Sequence, residues 1–208
     1  MKAVNNYNIQ MAQAKERFLT YDQQELIDRC ALRYDERYFY VRFLSSDYRI
    51  CRLSGDMERK TEAGWEDGNS FAEVMVLLDW LCDSKPDRWI TGNFMNIVTQ
   101  GHYFHRNLQE ESEDADAVYF DRNPQAFRAA CEALGGRSMP LADMSYAIEL
   151  VDGLEILVQF WHGDEEFKPR LRFFWDENVL SYIRYETTWY ALGLLQKRLR
   201  YIKTAQSK

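Results

Sequence analysis

Six carboxylates and one histidine have spacings that could do chemistry. Asp164, Glu165 and Glu166 are consecutive in the run Trp161-His162-Gly163-Asp164-Glu165-Glu166-Phe167, with Asp143 upstream and Asp176 and Glu186 downstream. Hard oxygen ligands of this kind suit Mg²⁺, Mn²⁺ or Ca²⁺. The same residue types also brace turns, and in that role Asp164 would hold its own loop while Phe167 plugs the core. His162 beside Asp164 invites a proton-transfer role, but no serine or cysteine in a recognisable nucleophile setting accompanies it. His102 and His105 have the His-x-x-His spacing that can place two imidazoles near one metal, without a third ligand nearby. Such pairs are more often ordinary loop histidines. Trp161, Trp175, Trp189 and Tyr190 could line a pocket for a flat ligand, although aromatics at these spacings more often fill a core.

The segment that must position the acids runs from Tyr146 to Glu186. Asp152-Gly153 separates two β-rich runs, Tyr146 to Val151 and Leu154 to His162, and suits a type I′ turn. Leu171 to Asp176 adds a third strand after the acidic loop. A two-residue turn sets Val151 opposite Leu154, so Ala147, Glu149, Val151, Leu154, Ile156, Val158 and Phe160 are expected on one face. Tyr146, Ile148, Leu150, Leu157 and Trp161 fall on the other. Both faces are largely apolar, as in central strands covered on both sides. If the strands are antiparallel neighbours, Asp176 lies at the far end of its strand from Asp164, which weakens the picture of a single cage.

Around this segment the chain alternates helical and extended patterns. Val4 to Thr20 fits a helix, and Asp22 can cap a second one containing Leu26, Ile27 and Cys30. Tyr38–Leu44 and Tyr48–Leu53 read as a hairpin about a Ser45-Ser46-Asp47 turn, with a short third strand before Gly64. Phe71, Val74, Leu77, Leu78 and Leu81 have helical spacing within Ser70 to Cys82, before Pro86. Trp89 to Tyr103 is irregular and aromatic. Glu110 to Asp121 carries six acids and no base, the mark of a solvated or mobile segment. Asn123-Pro124 opens a helix that Gly135-Gly136 stops. Glu186 to Lys203 closes the chain with a Leu192, Leu195, Leu199, Ile202 stripe and basic residues at its end.

At 208 residues, with 46% hydrophobic and 15% aromatic residues, the chain can build a sizeable core. A net charge of -7 and a pI near 5.1 argue against nucleic acid, which draws affinity from Lys and Arg on phosphates. No apolar run reaches the roughly 20 residues of a membrane helix, and no signal segment opens the chain, so a cytoplasmic protein with no membrane partner is expected. Cys30, Cys51, Cys82 and Cys131 are 21, 31 and 49 positions apart. They lack the close pairs of metal or redox motifs and read as buried free thiols.

The run Ala142-Asp143-Met144-Ser145, the following β segment, Trp161 to Phe167 and Phe174-Trp175-Asp176 resemble the uncharacterised prokaryotic family called domain of unknown function 3786. The likeness extends to Leu77-Leu78-Asp79-Trp80-Leu81, Ile90-Thr91-Gly92, Gly135-Gly136 and Tyr182 to Glu186, and covers most of the chain. Lys168 stands before Pro169 where family members tend to have proline directly after the phenylalanine, and Asp152-Gly153 replaces a proline-containing link. Some members are fused to, or accompanied by, a module with a four-iron, four-sulfur cluster. The resemblance therefore implies a redox or iron–sulfur protein partner. It does not transfer a cluster, because that would need closely spaced cysteines.

These observations predict a single α+β domain over residues 1–208, which could subdivide near 105–122. It should have a mainly antiparallel sheet, helices packed against it and a closing C-terminal helix. No catalytic signature stands out. The expectation is a non-enzymatic accessory or interaction protein linked to a redox or iron–sulfur partner. The alternative is a divalent-metal-dependent enzyme or small-ligand-binding domain at Asp164-Glu165-Glu166. The ligand-binding set is Asp143, Trp161, His162, Asp164, Glu165, Glu166, Asp176 and Glu186. Cofactor and oligomeric state have no signature.

Overall fold

The computed structural model describes residues 6–97 and 115–206. The fold is α+β, with two five-stranded antiparallel sheets and a C-terminal helix. By internal contacts the chain forms two compact units, residues 1–89 with 178–194 and residues 90–177 with 195–208. The His102/His105 pair and Glu110 to Asp114 lie outside the described residues. No described helix is long and apolar enough to cross a membrane.

In the first unit, helices α1 (Asn6–Leu19), α2 (Gln23–Cys30) and α3 (Phe71–Asp83) accompany a sheet. Its strands are β1 (Arg33–Tyr34), β2 (Tyr38–Phe43), β3 (Ser46–Cys51), β4 (Met57–Thr61) and β5 (Gly64–Glu66), in chain order. The β2–β3 turn is Leu44-Ser45 rather than Ser45-Ser46-Asp47, because Phe43 pairs with Ser46. Both turn residues have positive φ, 42° and 60°, with no glycine or asparagine to announce it. Alternation puts Phe39, Val41, Phe43, Tyr48 and Ile50 on the buried face. On the other face Arg49 lies over the Tyr38 ring at 4.2 Å and over Trp65 at 4.8 Å and pairs with Glu58.

α3 begins at a capping box. Ser70 Oγ accepts the Glu73 N–H, and Glu73 in turn accepts from Ser70 N and Ser70 Oγ. Glu73 is 6% exposed, takes the Tyr48 hydroxyl at 2.6 Å and faces Arg59 at 3.5 Å. Burial disfavours its charge, but the Tyr48 and Ser70 hydrogen bonds and Arg59 outweigh that and hold it below the ordinary glutamate range. One turn and a half later Asp79 has the opposite balance. Burial raises its pKa despite the Thr187 hydroxyl and the guanidinium groups of Arg184 and Arg17. Cys30 and Cys82 are buried, with Cys82 pushed up to about 12 by desolvation. Cys51 departs from the expected pattern, being only half-buried. Against the cost of burial, hydrogen bonds from the Ser54 hydroxyl and the Leu53 and Ser54 N–H groups hold its thiol below the usual value.

The second unit has β6 (Phe94–Met95), β7 (Arg137–Ser138), β8 (Met144–Val151), β9 (Leu154–Trp161) and β10 (Arg170–Asp176) in the order β6-β10-β9-β8-β7. Helices α4 (115–122) and α5 (Pro124–Ala133) belong to it. The expected hairpin forms, with Val151 opposite Leu154 and positive φ at Asp152 and Gly153. Its faces are not those expected, because the pairing shifts between Glu149 and Val151. The extra residue, Leu150, is a bulge that flips everything upstream by one position. Tyr146 and Ile148 therefore share a face with Ile156, Val158 and Phe160, whereas Ala147 and Glu149 join Glu155, Leu157 and Gln159.

Leu171, Phe173 and Trp175 complete the first of these faces by register. The Phe127 ring of α5 lies 5.9 Å from Tyr146, 5.4 Å from Phe160 and 5.2 Å from Phe120 of α4. α5 starts with Pro124 at its first turn, but Asn123 does not cap it through its side chain and donates instead to the Tyr119 carbonyl. Part of the acidic stretch read as a solvated segment is helical. Asp116 is 6% exposed and bound to Arg200 at 2.8 Å. The last helix, α6 (Tyr185–Gln206), buries Leu192, Leu195 and Leu199 as its stripe predicts.

Candidate functional site

At the end of the β9–β10 hairpin the chain turns through Gly163 to Pro169. Asp164 Oδ1 accepts the N–H groups of Glu166 at 2.8 Å and Phe167 at 2.7 Å, while Asp164 N donates to the Phe167 carbonyl at 2.9 Å. This is a closed Asx-type turn. The two N–H donors hold the exposed Asp164 carboxyl below its usual range. Gly163 is required by close approach, since a Cβ there would meet Pro169 Cδ at 2.8 Å. Phe167 is not a core plug. It is 58% exposed, with the Arg170 guanidinium 6.0 Å from its ring.

Two further carboxylates anchor the turn. Asp143 Oδ2 accepts the His162 N–H at 2.8 Å, reaching across from the start of β8. The preceding Ala142 has φ 50°, a left-handed conformation that costs a non-glycine residue roughly 1 kcal/mol. Asp121 of α4 takes the His162 ring Nδ1–H at 2.9 Å and the Gly163 N–H at 3.2 Å. The His162 hydrogen bond holds Asp121 below the usual carboxylate range. His162 also packs edge-on against Phe160 at 4.9 Å, which continues the Phe127 ring cluster to the surface.

Asp143, Trp161, His162 and Asp164 come together as lining of a groove of about 470 Å³, joined by Phe167, Lys168, Arg170 and Arg172. Glu165 and Glu166 are exposed on the far side of the turn, in an open concavity with Asp121. Asp176 is elsewhere, at the opposite end of β10. It is 1% exposed and accepts Thr91 N, Thr91 Oγ1 and Gly92 N at 2.8–3.0 Å. Glu186 is exposed in the first turn of α6, and Trp189 and Tyr190 are half-buried further along it; all three belong to the first unit. Trp161 and Trp175 sit on opposite faces of the second sheet, and only Trp175 is core.

Lys168, Arg170 and Arg172 carry no chemical signature in the sequence. The signal for two of them is the alternation Arg170-Leu171-Arg172-Phe173, which sends both arginines to the face of Trp161 once the register is known. Among the described residues no group of three or more His, Cys, Asp and Glu side chains is assembled as a metal cage.

A sequence model of the family described as Domain of unknown function (DUF3786) matches residues 22–198. The chain belongs to that family. No curated protein and no solved structure matches it. The stretch matched by the DUF3786 family contains the whole of the groove and the turn beside it. Lys168, the residue that departs from the resemblance noted above, is part of that lining.

Proposed function

We propose that this chain is a non-enzymatic accessory protein of the cytoplasm that binds through the groove beside the β9–β10 turn. The acidic turn is its fixed rim. The observation that supports this is the use of the carboxylates. Asp143, Asp164 and Asp121 each accept backbone N–H groups of the turn itself, so their charge stabilises the loop instead of converging on a reacting atom. A metal-dependent enzyme needs convergent, partly open oxygen ligands. The family likeness supports a redox or iron–sulfur protein as the physiological partner.

The expected result of calorimetry with Mg²⁺, Mn²⁺ or Ca²⁺ at millimolar concentration is no saturable heat. Saturable heat that Asp164→Asn removes would return the turn to metal chemistry and overturn the proposal. Affinity purification from native cells should recover a redox or iron–sulfur protein reproducibly, and repeated recovery of none would remove that partner class.

A further inference from the structure

The charge of the groove lining is not the charge that the acidic turn advertises. Lys168, Arg170 and Arg172 face two carboxylates there, Asp143 and Asp164, and both of those already accept backbone N–H groups. Trp161 is paired directly opposite Arg170 in the β9–β10 register, and Arg172, opposite Gln159, projects to the same face two residues along. Same-face neighbours on one strand are about 7 Å apart, and directly opposed side chains about 5 Å. The Trp161 ring has no hydrogen-bond or ring partner among the described residues, and it is only partly covered. Lys168 and Arg170 are exposed; among the described residues the Arg170 guanidinium lies 6.0 Å from the Phe167 ring, and Arg172 Nη1 donates to the Leu171 carbonyl at 2.8 Å. The groove's volume, about 470 Å³, is that of a site for a small organic molecule.

We infer that the groove binds a small planar organic anion, with its flat part against Trp161 and its carboxylate or phosphate held by Arg170 and Arg172, and Lys168 adding charge at the rim. Guanidinium groups form planar, paired hydrogen bonds to either anion, and indole rings cover flat apolar surface efficiently. This inference rests on the groove being the binding surface, and names its ligand class.

The probes are 1-naphthoate, 1-naphthyl phosphate and the neutral 1-naphthalenemethanol, titrated by calorimetry and by quenching of tryptophan fluorescence. At least one of the two anions should bind with a Kd of about 1 mM or tighter, as expected for ligands of this size. The neutral compound should bind at least tenfold more weakly. Whichever anion binds better separates a carboxylate ligand from a phosphate one. Arg170→Gln and Arg172→Gln should each weaken the better anion about tenfold, and Trp161→Ala should weaken both anions together. The two arginines lie at or near the surface, so these variants keep the fold, which circular dichroism would verify. Failure of both anions to bind, or binding that the arginine variants leave unchanged, overturns the inference. Binding only of an acidic peptide that carries an aromatic residue would also overturn it, in favour of a protein segment as occupant. None of these results bears on whether the acidic turn binds cations, which the divalent-ion calorimetry decides independently.

Discussion

Asp164 in the turn after β9 and Glu73 in the first turn of α3 are both carboxylates that accept several hydrogen bonds, and they differ in what surrounds them. Asp164 is exposed and its donors are two N–H groups within three residues. Glu73 is 6% exposed and its donors include Tyr48, which is 25 residues away. The exposed acid shapes a local turn, and water can replace what it provides. The buried acid ties a helix terminus to a strand where water has little access. At this turn adjacent acids mark a solvated surface, and a lone acid in an apolar helix start is the more consequential group.

The largest test of that contrast is Glu73→Ala. It removes the acceptor that Glu73 offers to the Tyr48 hydroxyl at a buried site and to the half-buried Ser70 N–H, and should lower the unfolding free energy by about 3 kcal/mol. Urea titration would measure it, and a loss no larger than that of an exposed acid would erase the distinction. Asp164→Ala should cost about 1 kcal/mol, the scale of one local side-chain-to-backbone cap. Asp164→Asn keeps the acceptor oxygen and should be nearly neutral.

The pH dependence separates the two acids of α3. Glu73 has a lowered folded pKa, so its contribution is fully present above the unfolded value, roughly 4.3, and is lost as pH falls through the folded value. Glu73→Gln should remove that acid-side loss. Asp79 has a raised folded pKa. Its contribution is fully present below roughly 3.9 and is lost as pH rises through the folded value. In urea midpoints taken from pH 3.5 to 7, Asp79→Asn should make the decline toward neutral pH shallower. A steeper decline would contradict burial as the dominant influence on Asp79.

A smaller gain in stability is expected at the edge of the groove. Ala142→Gly relieves the left-handed conformation that sets up Asp143, at the cost of extra chain entropy, and should stabilise the protein by about 0.5 kcal/mol. A clear loss of stability in thermal unfolding would show that Ala142 is not strained.

Much of the fold was legible because single residues announce it. Asp152-Gly153 marks its own turn, Asp22 accepts the Glu25 N–H as its helix cap, and the leucines of α6 keep helical spacing. What was illegible involves partners distant in sequence, or conformations without a residue preference. Leu44-Ser45 turns the chain with neither glycine nor asparagine, and the bulge at Leu150 reverses which side chains of β8 meet those of β9. For the groove, the acids of the turn were conspicuous because they are adjacent. Lys168, Arg170 and Arg172 carry no such signal, and only the register sets the two arginines on the face of Trp161. Ser70-x-x-Glu73 has the spacing of a capping box, a signal left unread in the sequence, and the burial of Glu73 under Tyr48 depends on a strand that the helix sequence cannot specify.

The claim on which the account turns is that Asp164 of the β9–β10 turn, with Asp143 and Asp121 beside it, is engaged by backbone N–H groups and not by a cation. Amide NMR spectra recorded with one equivalent of Mn²⁺ at physiological salt test it directly, because the paramagnetic ion broadens any N–H close to where it binds. The account predicts that the amides of Asp164, Glu165 and Glu166 keep the same relative intensity as those of other exposed acids. Selective loss of those three signals, restored in Asp164→Asn, would contradict it.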